Sequence, residues 1–279
     1  MKKGINIWSF PQGTVKESLE LAKDAGFEGV ELAIGPVGEL TPDSTDAEIK
    51  EVKNIADGLG LSLYSLSNGL CWDYRLSDDN PAVRQRAKDI IKKQIDTAKL
   101  LGADTVLVIP GAVNVSFSMP EVKVAYDVVY NRALEGLEEL KAYAESAQIY
   151  IGLENVWNKF LLSPMEMRDF IDKVDSPYVG SYFDVGNTLY CSYPEDWIRI
   201  LGNRIKKVHF KDYRVNVGSL DGFVDLLAGD ANYPEVVKAL GEVGYDGWVS
   251  AEMIPNYKYH TEAIIYNTSL AMDKILGRK

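Results

Sequence analysis

Four side chains of metal-ligating type each fall at or near the end of a short apolar run. Glu154 ends YIGLE, Asp184 ends VGSYFD, His209 lies in IKKVHF and Glu252 ends GWVSAE. One carboxylate at the end of a strand says little, because polar residues often stand there. Four such residues on successive strands make a donor set. Three carboxylates brought together repel one another and resist ionisation, and a divalent cation removes that conflict. Three oxygen donors and one imidazole suit one ion of Mn²⁺, Mg²⁺ or Co²⁺; Zn²⁺ is admissible, but no thiolate is near to select it. Such a cation can act as a Lewis acid on a bound carbonyl and make the adjacent C–H proton removable by a carboxylate. Glu154 and Glu252 could reach the reacting carbon from opposite sides. Proton return to the opposite face of the same carbon gives epimerisation, and transfer to the neighbouring carbon gives isomerisation.

A second tier of residues could shape the pocket. Trp8 at the end of the first strand, Asn68 after the third, and Trp72 could line a small-molecule pocket, since aromatic faces pack on ligand C–H surfaces. Trp157 and Tyr182 could keep it dry. Lys211, two residues after His209, could orient a metal ligand or a substrate oxygen, as outer groups around metals do. Glu31 lies inside a strand, where it either faces the barrel mouth or forms a buried salt bridge. Gly218, Gly222 and Gly229 could leave amides free for a phosphate. Residues 110–121 are long for a connection of their kind and suit a lid or binding loop. His260 reads as a surface residue. Cys71 and Cys191, with no metal-type spacing, read as two buried thiols in a reducing compartment.

Stepping outward from these residues, eight β-rich runs recur along the chain, at 4–9, 29–34, 61–67, 104–109, 150–154, 179–184, 205–210 and 247–252. Several are almost continuously apolar, as parallel strands covered by helices must be. Amphipathic stretches alternate with them, at 15–25, 47–59, 80–101, 120–147, 163–174, 194–201, 234–243 and 258–276. Pro81 and the Ser163–Pro164 pair mark helix starts. Gly26, Gly102 and Gly244 are placed to end helices in the left-handed conformation before a short link to a strand. Eight such units in 279 residues predict a single (β/α)8 barrel, a TIM barrel of class α/β spanning 1–279. In that architecture the C-terminal ends of the strands carry the active site, which is where Glu154, Asp184, His209 and Glu252 fall.

The formal charge of −11 argues against nucleic acid as a partner, whose affinity comes largely from Lys and Arg on phosphates. The start MKKGINIWSFPQG lacks the apolar core of a signal peptide, and no window is apolar enough to span a membrane. The expectation is a cytoplasmic protein acting on a small molecule.

At LENVWNKF (153–160), YFDVGN (182–187), VHFKD (208–212), GDANYPEVVKAL (229–240) and AEM (251–253) the chain resembles the sugar phosphate isomerase/epimerase superfamily with the xylose isomerase-like barrel. The resemblance runs from GVEL at 29–32 to GYDGWVSAEM at 244–253. It implies one divalent ion, commonly Mn²⁺, held by Glu154, Asp184, His209 and Glu252, with the two glutamates as the acid/base pair. It further implies a ketose or ketose phosphate as substrate and a homodimer or homotetramer. An inosose dehydratase or isomerase on the same scaffold is the alternative. The endonuclease branch needs many histidines, and this chain has 2. The sugar-binding shell departs from several relatives. Asn187 stands where several free-ketose epimerases carry a histidine, and the form DVGN is closer to pentulose-phosphate and hexulose-phosphate members. Leu161 stands where the free-ketose enzymes carry a sugar-contacting glutamate, and Arg214 is offset from a substrate-binding arginine. The expected substrate shell is Trp8, Asn68, Trp157, Asn187, Lys211 and Arg214.

Overall fold

The computed structural model describes residues 1–115 and 123–278. Its strands are β1 (Lys2–Asn6), β2 (Gly29–Ile34), β3 (Ser62–Asn68), β4 (Thr105–Val108), β5 (Tyr150–Glu154), β6 (Val179–Asp184), β7 (Ile205–Phe210), β8 (Asp212–Tyr213), β9 (Phe223–Val224) and β10 (Trp248–Ala251). Eight of them close into a parallel barrel in the order β1-β10-β7-β6-β5-β4-β3-β2. Closure satisfies both edges of each of the eight barrel strands, so the barrel has no free edge. The TIM barrel expected from the alternating runs is therefore present.

The helices are α1 (Val15–Asp24), α2 (Asp46–Leu59), α3 (Pro81–Leu101), α4 (Tyr126–Ala147), α5 (Pro164–Val174), α6 (Val185–Thr188), α7 (Pro194–Leu201), α8 (Tyr233–Glu242) and α9 (Ala263–Ile275). Their starts are chemically marked. Thr14 and Thr45 each accept from the amide three residues on, and Glu17 and Glu48 reach back to the cap amide. Asn80 and Ser163 cap helices that have Pro in the first turn. Gly26, Gly102 and Gly244 all have positive φ, as their placement after helices predicts. The apolar faces of the helices cover the outer barrel wall, where Leu19, Ile49, Ile95, Leu137, Phe170 and Val236 are buried. Among the described residues no helix is long and apolar enough to cross a membrane.

Several boundaries differ from the sequence reading. The first strand spans 2–6 rather than 4–9, because the Asn6 side chain accepts from the Trp8 amide at 2.8 Å and turns the chain into a short 3₁₀ segment, Ile7–Ser9. The helix expected from Pro120 begins at Tyr126, behind an extended Ala125. Residues 116–122, which include the start expected for that helix and half of the expected lid, lie outside the described residues. The last helix begins at Ala263 rather than Lys258, since His260 has a φ of 51° that no helix accommodates. Cys191 is exposed and Cys71 half-buried, so the two are not both core thiols.

Candidate metal centre

The sheet register sets the site. Asp184 is paired with His209 across β6 and β7, and Ser250 on β10 is paired with His209 on its other side. Glu154 ends β5 beside Tyr182 of β6. Glu252 follows β10, and its amide still donates to the Phe210 carbonyl at 3.1 Å. Four neighbouring strands thus deliver their last polar side chains to one point. One ligand atom from each of Glu154, Asp184, His209 and Glu252 lies within 4.8 Å of every other.

Nδ1 of His209 is the centre of the group. It is 3.3 Å from Glu154 Oε1, 3.8 Å from Asp184 Oδ2 and 3.8 Å from Glu252 Oε2. All four residues are buried. Burial, with the charges of Glu252 and Asp184 beside it, pushes the Glu154 carboxyl up to about 7. Burial likewise raises Asp184, while Lys211 and His209 oppose the shift. Burial alone would keep His209 neutral, but the carboxylates of Glu31 and Glu252 hold it well above the ordinary imidazole range. Glu154 and Asp184 are thus held back from their charge, and the imidazole is drawn toward a positive one.

The donor set fits a divalent ion. Asp184 Oδ2 is a buried oxygen that accepts no hydrogen bond, with the Lys211 ammonium no closer than 3.5 Å. Such an orphaned acceptor costs free energy unless a cation meets it. Three carboxylate oxygens and an imidazole nitrogen are a hard, oxygen-rich set.

Asn155 explains how the ligands stay aimed. Its side chain donates to the Asp184 carbonyl at 2.8 Å and accepts from the Asp184 amide at 2.9 Å. Asn187 in turn donates to the Asn155 carbonyl at 3.0 Å, and its amide donates to Asp184 Oδ1 at 2.7 Å. The glycine of DVGN is needed for contact: a Cβ on Gly186 would stand 2.5 Å from Lys211 Cβ. Lys211, 12% exposed at its side chain, forms an ion pair with Glu252.

A cavity of about 590 Å³ opens above the cluster. Glu154 and Glu252 form part of its lining, together with Trp8, Trp72, Trp157, Asn187 and Lys211. Two residues of the expected substrate shell lie elsewhere. Asn68 is turned into its own chain, accepting from the Leu70 amide at 2.8 Å to cap a 3₁₀ turn. Arg214 is exposed and donates to the Ala228 carbonyl at 3.0 Å, beside a separate cavity. Gly69 and Val156 complete the wall together with Leu220, Asp221, Phe223, Ile254 and Pro255, from the segments that follow β7 and β10. No periodicity marks the positions after β7 and β10, so no sequence pattern singles them out. Of the three glycines considered for phosphate, two have committed amides: Gly222 donates to the Ser219 carbonyl and Gly229 to Asp212 Oδ2. His260 is on the surface, 87% exposed.

A model of the family described as xylose isomerase-like TIM barrel matches residues 19–269. A fructoselysine 3-epimerase of Shigella flexneri is 23% identical, over 92% of this chain and 91% of that protein. A putative L-ribulose-5-phosphate 3-epimerase of Escherichia coli K12 is 26% identical, over 85% of this chain and 82% of that protein. Among solved structures, a D-psicose 3-epimerase with D-tagatose from Clostridium cellulolyticum superimposes with a TM-score of 0.82 at 20% identity, covering 99% of each chain, which is a likeness of fold.

Proposed function

The chain belongs to the xylose isomerase-like TIM barrel family, and from that premise we propose that it is a divalent-metal-dependent sugar epimerase inverting C3 of a ketose. The observation that carries this reading is the convergence of Glu154, Asp184 and Glu252 on His209 Nδ1, with Asp184 Oδ2 unsatisfied, at the floor of a cavity. A cation held by those four residues, Mn²⁺ in this proposal, would polarise the ketose carbonyl and acidify the neighbouring C–H. Glu154 and Glu252 line the same cavity from β5 and from the end of β10. One carboxylate takes the C3 proton, and the electron pair moves toward the C2 oxygen. The other glutamate returns a proton to the opposite face, so the bases exchange protonation states in each turnover. Lys211, paired with Glu252, helps keep that carboxylate oriented. The tryptophans pack on the sugar's C–H faces and exclude water.

The wall chemistry supports an unphosphorylated ketose. Among the described lining residues Lys211 is the one cation, and its charge is already shared between Glu252 and Asp184. Asp221 adds a negative charge to the outer wall. The deciding experiment incubates ketoses and ketose phosphates with protein and Mn²⁺ in D₂O and follows C3 by NMR. Deuterium at C3 together with the C3 epimer is the expected result. Glu154→Gln and Glu252→Gln are each expected to lower the rate by about 10²–10⁴-fold. Exchange confined to C1 or C2, or loss of water from a keto-inositol, would overturn the C3 assignment.

A further inference from the structure

Below the four ligands lies a fifth carboxylate that the proposed chemistry does not use. Glu31 is fully buried in β2, between Asn6 of β1 and Ser65 of β3 in the register. Its Oε2 is 2.7 Å from His209 Nε2 and accepts from Ser250 Oγ at 3.1 Å. Its Oε1 accepts from Ser67 Oγ and, at 3.4 Å, from Ser65 Oγ. The donors are themselves oriented from behind. Asn6 Nδ2 donates to Ser67 Oγ at 3.2 Å, and the Tyr64 hydroxyl lies 2.6 Å from Ser250 Oγ. With Asn6 donating to Ser67, and Tyr64 donating to Ser250, each serine is left its own proton for Glu31. A buried carboxylate ringed by donors is an acceptor on every side.

We propose that Glu31 is a positioning residue that fixes His209 as the Nε2–H tautomer and aims the bare Nδ1 at the bound cation. Only one ring nitrogen of a neutral imidazole carries a proton, so a proton held at Nε2 leaves the Nδ1 lone pair free. Nδ1 is the nitrogen that faces Glu154, Asp184 and Glu252. With a cation held by the four ligands, Glu31 would be the carboxylate behind a metal-bound imidazole, a pairing that fixes ring orientation and raises ligand basicity. The ring also rests against Tyr182, with centroids 4.6 Å apart, so it has little freedom to turn except through its hydrogen bond.

This inference rests on the metal reading, and the test separates the two. Mn²⁺ and Zn²⁺ binding to the wild-type chain, Glu31→Gln and Glu31→Asp is measured by calorimetry, with folding followed by circular dichroism. The expected result is about 10–100-fold weaker binding for Glu31→Gln, in line with other outer-partner substitutions, and partial recovery for Glu31→Asp. Absence of binding to the wild type would defeat the metal reading itself. Equal binding by wild type and a folded Glu31→Gln would defeat the role of Glu31 alone. A second readout needs no variant. The chain has 2 histidines, so ¹⁵N-histidine labelling gives two ring systems, and His260 is exposed. In the Zn²⁺-loaded wild type the buried ring must carry its proton on Nε2. A proton on Nδ1 would overturn the proposal even if Glu31→Gln failed to fold.

Discussion

Glu154 and His209 make opposite demands on protons in the metal-free and metal-loaded states. Without metal, burial and its acidic neighbours push Glu154 up to about 7, above the value near 4.3 expected when unfolded. Between those values the fold holds a proton that the unfolded chain has lost, so stability falls as pH rises through that window. His209, raised by Glu31 and Glu252 against its burial, acts in the same direction. Its contribution is full below about 6.5 and is lost as pH rises toward its folded value. A cation needs Glu154 ionised and Nδ1 bare, so binding releases these protons and strengthens with pH. The stabilisation given by a fixed Mn²⁺ concentration should therefore grow from pH 5 to pH 8, while the metal-free protein loses stability over the same range. Melting curves with and without Mn²⁺ across that range check this, and a metal-induced shift independent of pH would refute it. Glu31 shows what residue-level reading can and cannot reach. A carboxylate inside GVELAI is visible as an anomaly in an apolar strand. Its partner is 178 positions away and joins it only when the barrel closes.

At the scale of elements, the sequence carried most of the order and little of the punctuation. The strand runs and Gly-marked helix ends were legible because periodicity and backbone preference are local. The ends of β1, α4 and α9 were not, because side-chain bonds and single backbone conformations decided them. In the segment after β7 the sequence offered only three glycines whose amides could meet a phosphate. That segment is organised by buried Asp212, whose oxygens accept from the amides of Tyr213, Leu227, Gly229 and Ala231. One carboxylate thus supports the short β8–β9 pair and the chain that carries Phe223 into the cavity wall. No local pattern announces so many partners. A different helix end offers a quantitative test. α4 stops at Gln148, which adopts φ 59° and ψ 39° with its side chain exposed, whereas α2 and α3 use Gly60 and Gly102 at the same point. A side chain in the left-handed region costs about 1–2 kcal/mol, partly recovered by the greater freedom glycine gives the unfolded chain. Gln148→Gly should therefore stabilise by roughly 0.5–1 kcal/mol, or raise the melting temperature by about 1–4 °C in a chain of this size. A lower melting temperature would show that Gln148 makes a contact worth more than its strain.

Across the whole molecule, the ligands are distributed unevenly around a closed ring. β5, β6, β7 and β10 end at or next to a ligand, and β1–β4 do not. A cation would tie the second half of the barrel together directly. Among the described residues it would reach the first half indirectly, through the bond from His209 to Glu31 on β2 and through the shared sheet. The chain's net charge of −11 favours arrival of a cation and adds to the repulsion that its removal exposes. Binding to the native state alone stabilises by about 2.7 kcal/mol when the free ion is at 100 times its dissociation constant. How that stabilisation is distributed depends on whether the barrel opens as one unit or in parts, since native proteins open in cooperative segments of differing stability. If β5–β7 and β10 can open without β3 and β4, Mn²⁺ should slow amide exchange by up to about 100-fold in residues 150–154, 179–184, 205–210 and 248–251, and less in 62–68 and 105–108. Hydrogen exchange read by mass spectrometry, with Mn²⁺ and after chelation, resolves these segments. Because the ring has no free edge, equal slowing in all of them would mean that breaking any one strand pair unfolds the whole barrel. The ion would then act as a global staple rather than as a clasp on one half.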